Sequence, residues 1–145
     1  MNMKKLLIGG IVGGIVYFLL GWLFYGNLLN QYFKDHQGAV TGVERTMEQF
    51  QWWALILGNI LSGFLIAYVF SKSAVSSLAS GFVVGGILGF LMSCSYDLVM
   101  YGTTNIISKR AMAADVATFT VMSAIVGAVV GAIMGMGNKT VSTNV

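Results

Sequence analysis

The sequence predicts an all-α integral membrane protein, a four-helix bundle, and three observations lead there. Hydrophobic residues make up 57% of the 145-residue chain and charged residues only 9%, whereas ordinary soluble domains carry about 25% charged residues. So few charges cannot cover a water-facing surface. The charges also fall so as to leave four gaps: 28 residues between Lys5 and Lys34, 23 between Glu48 and Lys72, 24 between Lys72 and Asp97, and 23 between Asp115 and Lys139. A helix needs roughly 20 mostly apolar residues to cross about 30 Å of hydrocarbon, so each gap holds one span. The expected helices cover about 6–29, 52–70, 78–101 and 116–136, in a single domain over 1–145.

The first span follows "MNMKKLL", basic residues before an apolar run, as at the start of a signal peptide. The apolar run is far longer than the 7–15 residues of such a peptide, and no A-x-A-like site follows it, so it reads as an uncleaved span. The loop after it contains "TGVERTMEQFQWW", where Thr41 and Glu44 match a capping box. That predicts a helix from near Gly42 through Trp52 into the second span, projecting some two turns from the membrane, with Trp52 and Trp53 as interface anchors. The short connection "SKSAVSS" predicts that the second and third spans are antiparallel neighbours. Asp115 is placed to open the fourth span as a cap, where a carboxylate suits free N–H groups and the positive dipole end. An even number of spans puts both termini on one side, and the positive-inside count ties at four Lys and Arg on each side. Lys4 and Lys5 abut the first helix, which usually dominates, and favour cytoplasmic termini.

Nineteen glycines occur with no proline. Gly9 with Gly13 and Gly10 with Gly14, then Gly81, Gly85 and Gly89, then Gly127, Gly131 and Gly135 recur at intervals of four. Such stripes let helix backbones approach closely in lipid. They serve packing within one bundle, a homo-oligomer face, or both. The missing proline gives no signal for broken helices of the kind many carriers use. "IVGGIVYFLL" at 11–20 and "VVGGILGFLM" at 83–92 agree at six of ten positions, the echo expected of two duplicated helical hairpins.

Polar residues at membrane depth are few. At about 1.5 Å per residue, Asp97 lies about 28 Å along the third span, close to the outer edge of the hydrocarbon. Ser93, Tyr96, Asp97, Met100 and Tyr101 share a face by helical spacing, and Tyr25 reaches matching depth on the first span. The expected outer-leaflet cluster is Tyr25, Asn27, Tyr96, Asp97, Tyr101 and Asp115, with Lys109 or Arg110 reaching over it. Two readings of Asp97 stay open: a carboxylate fixed by a Tyr, Lys or Arg partner, or a site for a cation, a proton or a basic ligand. Asn59 lies nearer mid-membrane and suits a hydrogen bond across helices.

Several classes are excluded. The net charge of +3 is spread over scattered Lys and Arg with no basic patch, so no nucleic-acid partner is expected. The single cysteine, Cys94, cannot form an internal disulfide, and His36 alone makes no metal site, so neither metal nor cofactor is expected. No HExxH, GxSxG, CxxC or Walker loop points to an enzyme.

"GWLFYGNLL", residues 21–29, resembles a family of small bacterial four-span membrane proteins that is a domain of unknown function. In that family an aromatic residue, a Tyr and a short apolar-glycine stretch end the first helix. The late acidic residue of the third span and the small-residue fourth span are also similar. Gly26 stands where that family carries proline. The resemblance covers most of the chain and implies four spans in a bacterial inner membrane, with no assigned activity. The functional expectation is a helix-packing accessory or assembly subunit, alone, as a homo-oligomer or in a larger membrane complex. The alternative is a small-solute, ion or proton transporter using Asp97, Tyr25 and Asn59.

Overall fold

The computed structural model describes residues 1–137 except 41 and 44. Helix α1 runs Met3–Leu23 and passes through one π turn, Phe24–Leu28, into a short α2, Asn30–Asp35. After a 3-10 turn at Met47–Gln49 come α3 (Trp52–Lys72), α4 (Leu78–Thr103) and α5 (Lys109–Gly135). Four helices, α1 with its π turn, α3, α4 and α5, are long and apolar enough to cross a membrane. The described residues form no β-strand, only one isolated bridge between Gln37 and Ile107. The chain is an all-α, four-helix integral membrane protein.

The helix starts follow from local chemistry. Free N–H groups of a first turn need acceptors, and a small polar side chain just before the helix supplies one. Asn2 Oδ1 accepts from Lys5 N, Ser108 Oγ from Ala111 N, and Ser77 forms a reciprocal box with Ser80. Ser108 rather than Asp115 therefore opens the last helix, which starts seven residues earlier than the charge gap suggests. Lys109 and Arg110 belong to its first turn. The helix expected from Gly42 into the second span is not formed either: Gly42 has φ +75° and α3 begins at Trp52. The capping-box residues Thr41 and Glu44 lie outside the described residues.

The spans associate as two pairs, α1 with α3 and α4 with α5, and α5 joins the pairs by packing chiefly on α1. The neighbours expected from loop length, α3 and α4, do not form an extended interface. The connection between them is short, but backbone fit decides the pairing. A Cβ built on Gly63 would stand 2.2 Å from Gly14 N and 2.4 Å from Gly10 O. In the other pair, a Cβ on Gly81 would meet Gly127 O at 2.1 Å, and one on Gly127 would meet Gly81 O at 2.3 Å. Any side chain at these seams would hold the helices apart, and the dispersion gained along both backbones would be lost.

Between the pairs, side chains fill the space. Tyr17, Ile66, Phe70, Val126 and Val130 are each at most 2% exposed and form the core with Met122 and Met134. Tyr17 donates to Ser123 Oγ at 2.7 Å and stacks on Phe119, with ring centroids 5.8 Å apart. That hydrogen bond ties α1 to α5 at depth, where an unpaired hydroxyl would be costly. At the end of the bundle away from the N-terminus, Gly38 N donates to Ile106 O at 3.1 Å and Ser108 Oγ donates to His36 O, fastening the α2 segment to the α4–α5 connection.

Candidate functional site

The site forms where α4, α5 and the π turn of α1 converge, at the end of the bundle away from the N-terminus. Asp97 lies six residues before the end of α4 and Asp115 six residues after the start of α5. Antiparallel packing therefore brings both carboxyls to one depth, about 9 Å below the helix ends at 1.5 Å per residue. Each helix is about 40 Å long by the same rise, so the pair sits only a few ångströms inside a 30 Å hydrocarbon layer. Asp97 is 2% exposed, and Ser93 Oγ donates to its Oδ2 at 3.3 Å. Asp115 is half-buried and stands within hydrogen-bonding reach of both the Asp97 carboxyl and the Tyr25 hydroxyl.

The π turn explains how Tyr25 gets there. One extra residue in the helical turn rotates the following side chains, and such bulges often re-aim a functional group. Tyr25 is half-buried and packs on Phe33 of α2, centroids 5.4 Å apart. Its hydroxyl is thereby turned inward to the acidic pair.

The other expected members stand elsewhere. Tyr96 is 66% exposed on the outside of α4, and Asn27 is exposed with its Nδ2 donating to Trp22 O at 2.8 Å. Tyr101 is 37% exposed and carries Lys109 Nζ over its ring, 6.0 Å from the centroid. The face read from helical spacing was too wide: four residues separate Ser93 from Asp97, which both point inward, whereas Tyr96 is turned about 100° away. Lys109 thus covers an aromatic ring rather than the carboxyls, and Arg110 is exposed. The basic residue nearest the site in the cavity lining is Arg45, from the loop before α3.

Two cavities reach the site from outside. The first, about 430 Å³, is a vestibule that includes Tyr25, Arg45, Phe50, Ile107 and Asp115 in its wall. The second, about 420 Å³, is a chamber between α1, α3 and α5, lined chiefly by aromatic rings and reaching Asn59. The two share Tyr25, Asn30 and Phe50 as wall. Asp97 lines neither, so Asp115 is the exposed member of the pair and Asp97 the sealed one. Asn59 makes no bond across helices; its Nδ2 donates to Leu55 O at 2.8 Å within α3.

Comparison with family models, with curated proteins and with solved structures finds no match to this chain. The arrangement must be interpreted from its own chemistry. Among the described residues no group of three His, Cys, Asp or Glu is placed to hold a metal ion. What the site offers is two carboxyls close enough to interact, two hydroxyl donors, and water access through Asp115. Sequence reasoning did not find the chamber. Phe18, Trp22 and Tyr25 carried a signal for it, since their spacing puts three rings on one face of the first span.

Proposed function

We propose that this chain is a small carrier in a bacterial inner membrane, without catalysis, that takes up a proton or small cation at the Asp97–Asp115 pair. One observation carries the reading: two carboxyls from neighbouring spans meet, one of them buried, with hydroxyls rather than basic side chains against them. Two unit charges about 4 Å apart interact by about 4 kcal/mol at an effective dielectric of 20. A proton or cation held by the pair removes that repulsion, and ionisable residues at membrane depth usually mark such pathways. In this reading both termini lie in the cytoplasm, the vestibule faces outward, and Asp115 loads from water before Asp97.

The test is acid uptake by proteoliposomes containing the purified chain and an enclosed pH-sensitive dye. An outside acid pulse acidifies the lumen; Asp97→Asn and Asp115→Asn abolish the signal, and Tyr96→Phe keeps it. Wild-type vesicles no leakier than empty ones would sink the carrier.

A second reading, an accessory or assembly subunit, is favoured by the outer face of α3. Trp53, Leu57, Leu61 and Tyr68 there are each 49% exposed or more, a surface suited to another membrane chain or a second copy as well as to lipid. The seam glycines of α1, α4 and α5 pack against neighbouring helices of the same chain, so this reading puts association on the outer face of α3. Flux from the isolated chain discriminates between the two readings.

A further inference from the structure

We infer that the aromatic chamber between α1, α3 and α5 binds a lipophilic organic monocation. This deepens the carrier reading, on which it rests for the contribution of the acidic pair, by naming the solute class that occupies the neighbouring space. At about 420 Å³ the chamber falls within the roughly 300–1,000 Å³ of small-molecule sites. Its rings come from three parts of the fold: Phe18, Trp22 and Tyr25 from the first span, Phe50 and Trp52 from the mouth of α3, and Phe119 from α5. Aromatic faces attract a cation placed within about 6 Å of the centroid, and more strongly once it is desolvated.

The polar groups select the same charge. Asn30 Nδ2 donates to Tyr25 O at 3.3 Å and Asn59 Nδ2 to Leu55 O at 2.8 Å. Each amide spends one of its two N–H donors on its own helix backbone and keeps its carbonyl oxygen as an acceptor beside the second N–H. Among the described residues no Lys, Arg or His lines the chamber. Behind the shared wall of Tyr25, Asn30 and Phe50 stands Asp115, and Arg45 lines that far cavity rather than the chamber. Ring faces and amide oxygens raise electron density around an apolar volume, while the Asp115 carboxylate and the Arg45 guanidinium stand together in the neighbouring cavity. A neutral molecule of the same shape gains only the apolar contact, and an anion is repelled.

The experiment is equilibrium binding of tetraphenylphosphonium to the full chain in detergent, with tetraphenylborate as the anion of matching shape and triphenylphosphine oxide as an uncharged competitor. The expected result is saturable binding of one cation per chain, displaced by neither competitor at equal concentration. Trp22→Ala weakens it about tenfold through the lost ring face; Trp22 is 54% exposed, so the bundle survives its removal. Asn59→Leu, which removes an acceptor from a half-buried position, weakens binding as well. Equal displacement by the borate or the oxide overturns the inference, as does binding indifferent to both substitutions. Loss of acid uptake with cation binding intact overturns the carrier and leaves the chamber standing. Intact acid uptake without saturable cation binding overturns the chamber alone.

Discussion

Replacing Gly63 by alanine adds one methyl group where α1 and α3 touch backbone to backbone. That methyl would sit 2.2 Å from Gly14 N, 2.4 Å from Gly10 O and 2.8 Å from Gly13 C. Ordinary contact begins near 3.4 Å, so the two helices must part by about 1 Å, and none of the three atoms is a side chain that could swing aside. A gap of 0.5–1 Å forfeits about a quarter to a half of each dispersion contact, and overpacking of this kind costs about 1–3 kcal/mol. With rigid backbone on both sides, about 2–3 kcal/mol is the expected loss. The better helix propensity of alanine offsets about 0.5–1 kcal/mol, leaving a net destabilisation of about 1–2.5 kcal/mol. Gly58 on the same helix has nothing within 4 Å of its virtual Cβ. Gly58→Ala therefore keeps only the propensity gain and is neutral or slightly stabilising. Equilibrium unfolding in mixed micelles of rising dodecyl sulfate fraction, followed by tryptophan fluorescence, measures both. Equal effects of the two substitutions, or a Gly63→Ala variant within about 0.5 kcal/mol of wild type, would refute the seam.

Three further outcomes are expected. Tyr17→Phe leaves the buried Ser123 hydroxyl without its 2.7 Å partner and destabilises the bundle by about 1 kcal/mol in the same unfolding assay, while Tyr17→Phe with Ser123→Ala recovers part of that loss. Ser108→Ala removes both the cap of α5 and the tie to His36 O, costing about 1 kcal/mol; hydrogen exchange at Ala111 and Met112 accelerates, and unchanged exchange would contradict it. In a Cys94→Ser background, single cysteines at Ser73 and Asn105, both exposed on opposite connections, react with a membrane-impermeant maleimide from opposite sides, and labelling of both from one side would break the topology.

The fold class was legible because lipid imposes a length rule, and uncharged runs of 23–28 residues satisfy it. Helix ends were less legible for the same reason. A charge gap measures the hydrocarbon, not the helix, and α5 starts at Lys109 because Ser108 supplies a cap outside the apolar layer. That shift moved Asp115 from a cap to the second turn of its helix and made it a partner for Asp97. Pairing was misread at α3 and α4 because loop length only limits which helices can touch, whereas the backbone fit at Gly63, Gly81 and Gly127 selects which do. In the site, depth along the helix was enough to bring Tyr25, Asp97 and Asp115 together. Depth says little about rotation, so Tyr96 and Tyr101 were grouped with residues on another face. The chamber required Phe50 and Phe119, which only tertiary packing brings beside Trp22.

The order in which the seams occur along the chain has a consequence for synthesis. The first seam joins the first and second spans and the second joins the third and fourth, so each closes between segments that emerge consecutively from the ribosome. The first hairpin can zip shut in the bilayer before the second has been made, whereas the second seam and the contacts of α5 with α1 and α3 must wait for the last span. A ribosome stalled after the α3–α4 turn should already display a protease-resistant pair.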